Sequence, residues 1–352
     1  MSGLAPIDFG HRQLIVRREP AIALRASWRS VAVVAILGTG VLVLAVYALG
    51  VGEYPVSPPQ VVAILTGRDE SFASVLVLEW RMPRILLAVL IGAALGVSGA
   101  IFQALTRNPL GSPDVIGFDF GAYTGALMAI AVLGGGYFTV SVSAVTGGLA
   151  TAILVYLLSY KNGVAGFRLI IVGIAVSAVL SSFCQWIILK IKLHQAITAS
   201  VWQQGSLSGL DWAQVYPVAG CLAATAVMLV VVGPKLQILQ MGDDAAGGLG
   251  LNPERVRLAY FGVGVFLVAV AAAAAGPISF VALAAPQLAR RLTAAPGVGL
   301  ISAAAMGAFL LLASDLIALR IFAPTELPVG TVTVTVGGLY LVYLLVAQSR
   351  RG

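Results

Sequence analysis

The sequence predicts an all-α polytopic membrane protein of about ten transmembrane helices, and two observations carry that reading. Of 352 residues, 59% are hydrophobic and only 10% are charged, with a mean hydropathy of +0.99, whereas a soluble domain carries about 25% charge. The apolar residues also fall into runs of about 20, the length of helix that crosses a hydrocarbon layer, separated by Gly, Pro and charge.

The first 27 residues are polar and Arg-rich, and the apolar run that follows is too long for a signal-peptide core. Residues 1–28 therefore read as a cytosolic tail and 29–352 as one membrane domain, beginning with the span Val31 to Gly50. The second span, Ile85 to Leu105, carries no charge and is flanked by Arg81 and Arg84 on one side and Arg107 on the other. It sets Gly92, Gly96 and Gly99 on one face, where another helix backbone can approach closely. Asn108-Pro109 ends it, because Pro lacks an amide donor and restricts its neighbour. Ser112-Pro113-Asp114 then reads as the N-cap, first-turn Pro and first-turn acid of the third span, Val115 to Leu133.

Phe138 to Ser159, Leu169 to Leu189 and Val215 to Val232 follow as the fourth to sixth spans. Gly276-Pro277 separates the seventh, Leu258 to Ala275, from the eighth, Ile278 to Leu288. The eighth is shorter than a full crossing and contains Pro286, as a kinked or partly re-entrant helix would. Val298 to Leu319 is the ninth span, and Leu327-Pro328-Val329-Gly330 opens the tenth, Val329 to Val346. The Thr/Val alternation at the start of the tenth resembles a strand, but an open strand cannot satisfy its backbone in lipid, so a helix is expected.

Ten crossings with a cytosolic N-terminus place Arg12, Arg17, Arg18, Arg25, Arg29, Arg107, Lys161, Arg168, Lys235, Arg255, Arg257, Arg290, Arg291, Arg350 and Arg351 inside. Only Arg68, Arg81, Arg84, Lys190, Lys192 and Arg320 fall outside, a bias of 15 to 6 that accounts for the net charge of +7 and puts both termini in the cytosol. Nucleic-acid binding would need a soluble basic face, which the chain lacks. Cys184 and Cys221 lie in apolar runs far from any His and read as small buried hydrophobes. Neither a metal nor a catalytic set is read: Gly96-Val97-Ser98-Gly99 suggests a serine nucleophile, but the histidines are His11 in the tail and His194 at an outer loop.

The longest inner connection, residues 235–257, contains Met241-Gly242-Asp243-Asp244-Ala245-Ala246-Gly247-Gly248-Leu249-Gly250-Leu251-Asn252-Pro253. Two acids, then small residues, then Gly and Asn-Pro suit a short capped helix shaped to dock into a partner's groove. Read from these residues alone, an ordinary solvated loop fits equally well.

The chain resembles permeases of the iron-siderophore and cobalamin ATP-binding-cassette importer family, the FecCD type. The residues that carry the resemblance are Arg81-Met-Pro-Arg84, Gly92 to Ala100, Arg107-Asn-Pro-Leu110, Trp202 with Gly205-Ser206-Leu207, Gly242-Asp243-Asp244 with Leu249-Gly250, Ala275 to Phe280, Pro286 with Ala289-Arg290-Arg291, and Leu327 to Gly330, all in family order. Gly111 to Gly117, Met241 to Asp244 and Gly337 to Leu341 look most like the ferric-enterobactin branch, which points to siderophores over cobalamin, with haem or cobalamin import by the same family as the alternative. Gln287 stands where many members have His, and Gly338-Leu339 replaces a common Ala-Pro.

The resemblance implies a type II ABC importer permease fold in a bacterial cytoplasmic (inner) membrane. It also implies pairing with a second, non-identical permease subunit, two ATP-binding-cassette ATPases and an external siderophore-binding protein. No cofactor is expected on this chain; ATP is held and hydrolysed on the partner subunits. The family pattern assigns binding-protein docking to Arg81, Arg84 and Arg320, for which membrane anchoring is the alternative. ATPase coupling falls to Gly242, Asp243, Asp244, Ala245, Ala246, Leu249 and Gly250. The translocation path falls to Ser177, Ser181 and Gln185 on the fifth span and Thr331 and Thr335 on the tenth, whose hydroxyls and amide could equally bond between helices. Asp315, within the ninth span, is a candidate gating or structural acid, and the residue a proton-coupled secondary transporter would use.

Overall fold

The computed structural model describes residues 13–18, 22–52, 54–134, 136–161, 166–295, 297 and 299–349. His11, Arg12, Arg350 and Arg351 lie outside them. The tail, expected only as a polar segment, contains an antiparallel hairpin of β1 (Gln13–Arg18) and β2 (Ile22–Ser27), with Gln13 opposite Ser27 and Arg18 opposite Ile22. Ser27 then caps α1 (Trp28–Gly50), its hydroxyl accepting from Ser30 N at 3.0 Å.

α2 (Pro58–Leu65) and α3 (Phe72–Val75) precede a π-helical stretch, Leu76–Arg81, that runs directly into α4 (Met82–Thr106). The second span is thus one 35-residue helix from Phe72 to Thr106, beginning well before the expected Ile85. The wider turn sits just ahead of Pro83, where the ring would otherwise meet the carbonyl four residues back. Arg107, in the left-handed region at φ 50°, ends α4.

Residues 108–117 form turns rather than the expected start of the third helix: Gly111 N donates to Asn108 O at 2.9 Å, and α5 (Phe118–Val132) begins after Gly117 at φ 92°. Asp114, read as a first-turn acid of its own helix, instead accepts from Phe280 N at 3.0 Å across the fold. α6 (Tyr137–Ser159), α7 (Gly166–Ile188), α8 (Leu193–Gln203), α9 (Trp212–Gln240), α10 (Asp243–Gly248), α11 (Pro253–Ala275), α12 (Val281–Thr293), α13 (Leu300–Arg320) and α14 (Val329–Ser349) complete the chain. All ten expected spans correspond to helices, and the Thr/Val alternation of α14 is helical.

Among the described residues seven helices are long and apolar enough to cross a membrane; α5 and the described part of α14 are shorter apolar helices. α12 is a 13-residue helix preceded by the irregular segment 276–280, which is packed inside protein. Irregular backbone at membrane depth is tolerated only under such cover. Gly276, at φ 73°, lies against Trp202 O, and Ser206 N donates to Ala275 O at 2.8 Å.

α4 is central: its span is 72% buried, against 11% for α1 and 17% for α9. Its glycines do what their spacing predicts. A Cβ on Gly92 would meet Gly307 O, one on Gly96 would meet Ala303 O, and one on Gly99 would meet Ala282 O, so α13 and the start of α12 lie backbone to backbone on α4. Beside that seam Phe102, Phe118 and Phe261 form a triangle with ring centroids 5.5 to 5.8 Å apart, Phe261 meeting the other two edge-on.

Candidate functional site

Two polar clusters mark opposite ends of the bundle. At one end Arg81 lies within electrostatic reach of Arg320, and Arg84 follows in the first turn of α4. Arg81 donates from Nη1 to Leu49 O and from Nη2 to Tyr54 O, both at 2.6 Å, so a cation closes the carbonyl end of α1. Arg320 is exposed in the last turn of α13.

Arg84 departs from the sequence reading of an exposed rim cation: its side chain is only 14% exposed. Its Nε lies 3.0 Å from Asp315 Oδ2 and its Nη2 lies 3.0 Å from Asp315 Oδ1, a two-pronged pair with a carboxylate that is 3% exposed. Its Nη1 donates to Glu326 Oε2 at 2.9 Å, and the same oxygen accepts from Ser208 Oγ at 2.6 Å. The two arms differ in strength. Breaking a buried pair by removing one partner costs about 3–5 kcal/mol, whereas a pair with a 45% exposed carboxylate contributes about 0–1 kcal/mol after solvent screening. Asp315 is therefore an interhelical tie from α13 to α4, and a proton carrier working through it would first have to break that tie. Partial burial pushes the Glu326 carboxyl up, but Ser208 and Arg84 pull it further down, below its usual range. The Glu326 contact is thus present above that range and is lost only as pH falls through the depressed value.

At the other end Gly242, at φ 121°, turns the chain out of α9 into α10. The Asp243 carboxylate sits between Arg107 Nη2 at 2.8 Å and Arg257 Nη2 at 3.0 Å, and Arg257 also holds Glu254 at 3.0 Å. Tyr156 O–H donates to Glu254 at 3.0 Å, so α4, α6, α10 and α11 share one network. Partial burial raises the Asp243 pKa, but Arg257 and Arg107 lower it further, to a net position below its ordinary 3.8. The clamp is stable at neutral pH and loosens only as pH falls below that range. Leu251 N closes the loop onto Ala246 O at 3.0 Å, and Asn252 caps α11 by accepting from Arg255 N at 3.1 Å.

This geometry corrects the expectation for Ala246. Among the coupling candidates it points inward and is fully buried, because Asp243 and Leu251 pin both ends of a one-turn helix against α9 and α11. Ala245 is half-buried, and the outward face consists of Met241, Asp244, Gly247, Gly248, Leu249 and Gly250. The connection is also shorter than residues 235–257, since α9 runs on to Gln240.

The path candidates lie on α7 and α14. Ser177 donates to Gly173 O at 2.7 Å and lies against Gly117, so it packs the elbow to α7. Ser181 is half-buried and Gln185 is exposed. Thr335 donates to Thr331 O at 2.9 Å, and Thr331 meets Gln204 Oε1 at 3.3 Å. Ser177 and Thr335 thus satisfy themselves on their own helices, and of the path residues only Thr331 bonds to another element.

Two positions acquire an account that the sequence did not supply. Gln287, where the family pattern has His, is 7% exposed and donates from Nε2 to Pro109 O at 2.6 Å, tying α12 to the Asn108-Pro109 elbow. Removing that donor strands a carbonyl, so Gln287→Leu is expected to cost about 1–3 kcal/mol, read as a lower melting temperature of the purified protein. Ser98, in the Gly96 to Gly99 run that suggests a serine nucleophile, is fully buried and donates to Gly264 O at 2.8 Å, a helix-to-helix tie.

A helical bundle of about ten spans, clamped by charge at both ends and projecting a short pinned helix from one of them, has the architecture of a membrane permease. The FecCD transport family model matches residues 40–347, and the chain belongs to that family. It is 47% identical over 316 residues to the ferric enterobactin transport system permease protein FepG of Escherichia coli (strain K12), covering 90% of this chain and 96% of that protein. It is 35% identical over 329 residues to the Fe(3+)-citrate import system permease protein YfmE of Bacillus subtilis (strain 168), covering 93% and 98%. A solved structure described as an inward-facing conformation of a metal-chelate type ABC transporter superposes with a TM-score of 0.81 at 26% identity, over 90% of this chain and 99% of that one.

Proposed function

We propose that this chain is the membrane-spanning subunit of an ATP-driven importer that moves a ferric siderophore into the cytoplasm by alternating access. The observation that carries the reading is the 47% identity to a ferric enterobactin permease over nearly the full length of both chains. The pinned α10 supports it, since a helix clamped by Asp243 with Met241 and Leu249 turned outward offers a surface for an ATPase subunit. ATP binds and is hydrolysed on two such partners, and a second, non-identical permease subunit completes the pathway.

In this reading the Asp243 end faces the cytosol and the Arg84 end faces an external siderophore-binding protein. The excess of Lys and Arg on the Asp243 side supports that orientation, with both termini cytosolic in a bacterial inner membrane. Arg81, Arg84 and Arg320 form the docking rim, and Ser181, Gln185, Thr331 and Thr335 face the conduit, with Ser177 at its inner elbow.

The test is uptake of a panel of labelled ferric siderophores in a strain lacking this chain. The restored chain is expected to return uptake of at least one. Leu249→Glu is expected to reduce that uptake at least tenfold while the protein still accumulates in the membrane, since the residue is 62% exposed and lies outside the hydrophobic core. Uptake that returns for none of the panel, or that survives Leu249→Glu with the ATPase still bound, would reject the substrate class or the coupling surface respectively.

A further inference from the structure

Arg84 has one arm that is held firmly and one that is not. Asp315 takes Nε and Nη2 and is sealed from solvent. Nη1 is left for Glu326, which lies in the exposed segment between α13 and α14 with its side chain 45% exposed. One oxygen of Glu326 serves two partners, Arg84 Nη1 at 2.9 Å and Ser208 Oγ at 2.6 Å, so it joins α4 to the linker between α8 and α9. That linker abuts the start of α14: Gly330 N donates to Gly205 O at 3.1 Å, and a Cβ on Gly330 would strike Gln204 O.

We propose that Glu326 is an internal stand-in for a docking carboxylate, filling the accessible arm of Arg84 until an acidic side chain of the external binding protein displaces it and thereby releases Ser208. This rests on the docking reading of the rim. An incoming carboxylate matches Glu326 in charge and in hydrogen-bonding geometry and can replace it one for one. Asp315 cannot be displaced in the same way, because it has no route to solvent. The exchange needs no net change in the charge around Arg84. What changes is the tether: the external carboxylate belongs to another protein and does not hold the α8–α9 linker against α4. Docking thereby removes one tie from the segment that borders the first turn of α14, leaving its bonds from Ser206 N to Ala275 O and from Gly330 N to Gly205 O.

The test uses the assembled transporter in lipid nanodiscs with its own substrate-loaded binding protein, measuring the dissociation constant. Glu326→Gln removes the competing charge and keeps the shape, and is expected to tighten binding about tenfold. Ser208→Ala, which frees Glu326 from its second partner, is expected to tighten it about threefold. A merely structural role for Glu326 predicts the opposite sign, so unchanged or weaker binding by Glu326→Gln overturns the proposal. Should that variant fail to accumulate, Glu326→Asp, which shortens the reach to Arg84, is expected to tighten binding and overturns the proposal if it does not. Arg320→Glu separates the two levels of the argument. Weaker binding there with no change in the Glu326 variants sinks the stand-in alone, whereas no change in Arg320→Glu and Arg84→Gln sinks the docking rim itself.

Discussion

Asp315→Ala is expected to destabilise the folded protein by about 3–5 kcal/mol, because it leaves the Arg84 guanidinium largely buried with its two-pronged partner gone. Glu326 cannot compensate, being half in solvent and reaching only Nη1. The loss should appear as a markedly lower melting temperature of the purified protein and reduced accumulation in the membrane. A second variant decides whether the effect is the stranded charge or lost packing. Arg84→Met combined with Asp315→Leu removes both charges and keeps most of the volume, and is expected to recover most of the stability, as apolar replacements of buried pairs commonly do. A melting temperature unchanged in Asp315→Ala would show that the pair does not hold α4 to α13.

Gly96→Leu is expected to abolish accumulation of folded protein. A Cβ on Gly96 would already strike Ala303 O, a backbone atom that cannot rotate aside, so even Gly96→Ala should cost about 1–3 kcal/mol and longer side chains more. Gly262 supplies the control. It lies within α11, and a Cβ there would meet nothing within 4 Å, so Gly262→Ala is expected to be neutral or to stabilise by up to about 1 kcal/mol through helix propensity. Equal melting temperatures for the two alanine variants would show that the α4–α13 seam tolerates separation.

The helices were legible in the sequence because lipid imposes a length on a crossing, and most of the ten apolar runs meet it, the eighth being the plain exception. The close face of Gly92, Gly96 and Gly99 was legible for a related reason: small residues at helical spacing have few other uses. Helix ends were less so. Asp114 looks like a cap for the helix beside it, and only the folded chain reveals that Phe280, 166 positions away, is the amide it serves. The start of the second span at Phe72 was hidden because Glu79 and Arg81 break the apolar run without breaking the helix. At the rim, the sequence marked Arg84 and Asp315 as unusual separately, but nothing local pairs residues 231 positions apart. The same holds for Arg107 and Asp243. Glu326 left no usable signal, since an acid in a loop is ordinary until its partner is known, and Gln287 stood out only as a departure from the family pattern, with nothing to show that Pro109 is its partner.

The seam between α4 and α13 has a kinematic consequence. Helices that meet through interdigitated side chains can slide by exchanging one set of rotamers for another, but Gly92 and Gly307 meet through main-chain atoms and have no rotamers to exchange. With the Arg84–Asp315 pair fastening one end of the same interface, these two helices have few ways to shear past each other and behave as a single strut. Any rearrangement that opens one face of the subunit and closes the other must then be borne by thinly packed elements such as α7 and α9, turning about a post that does not itself deform.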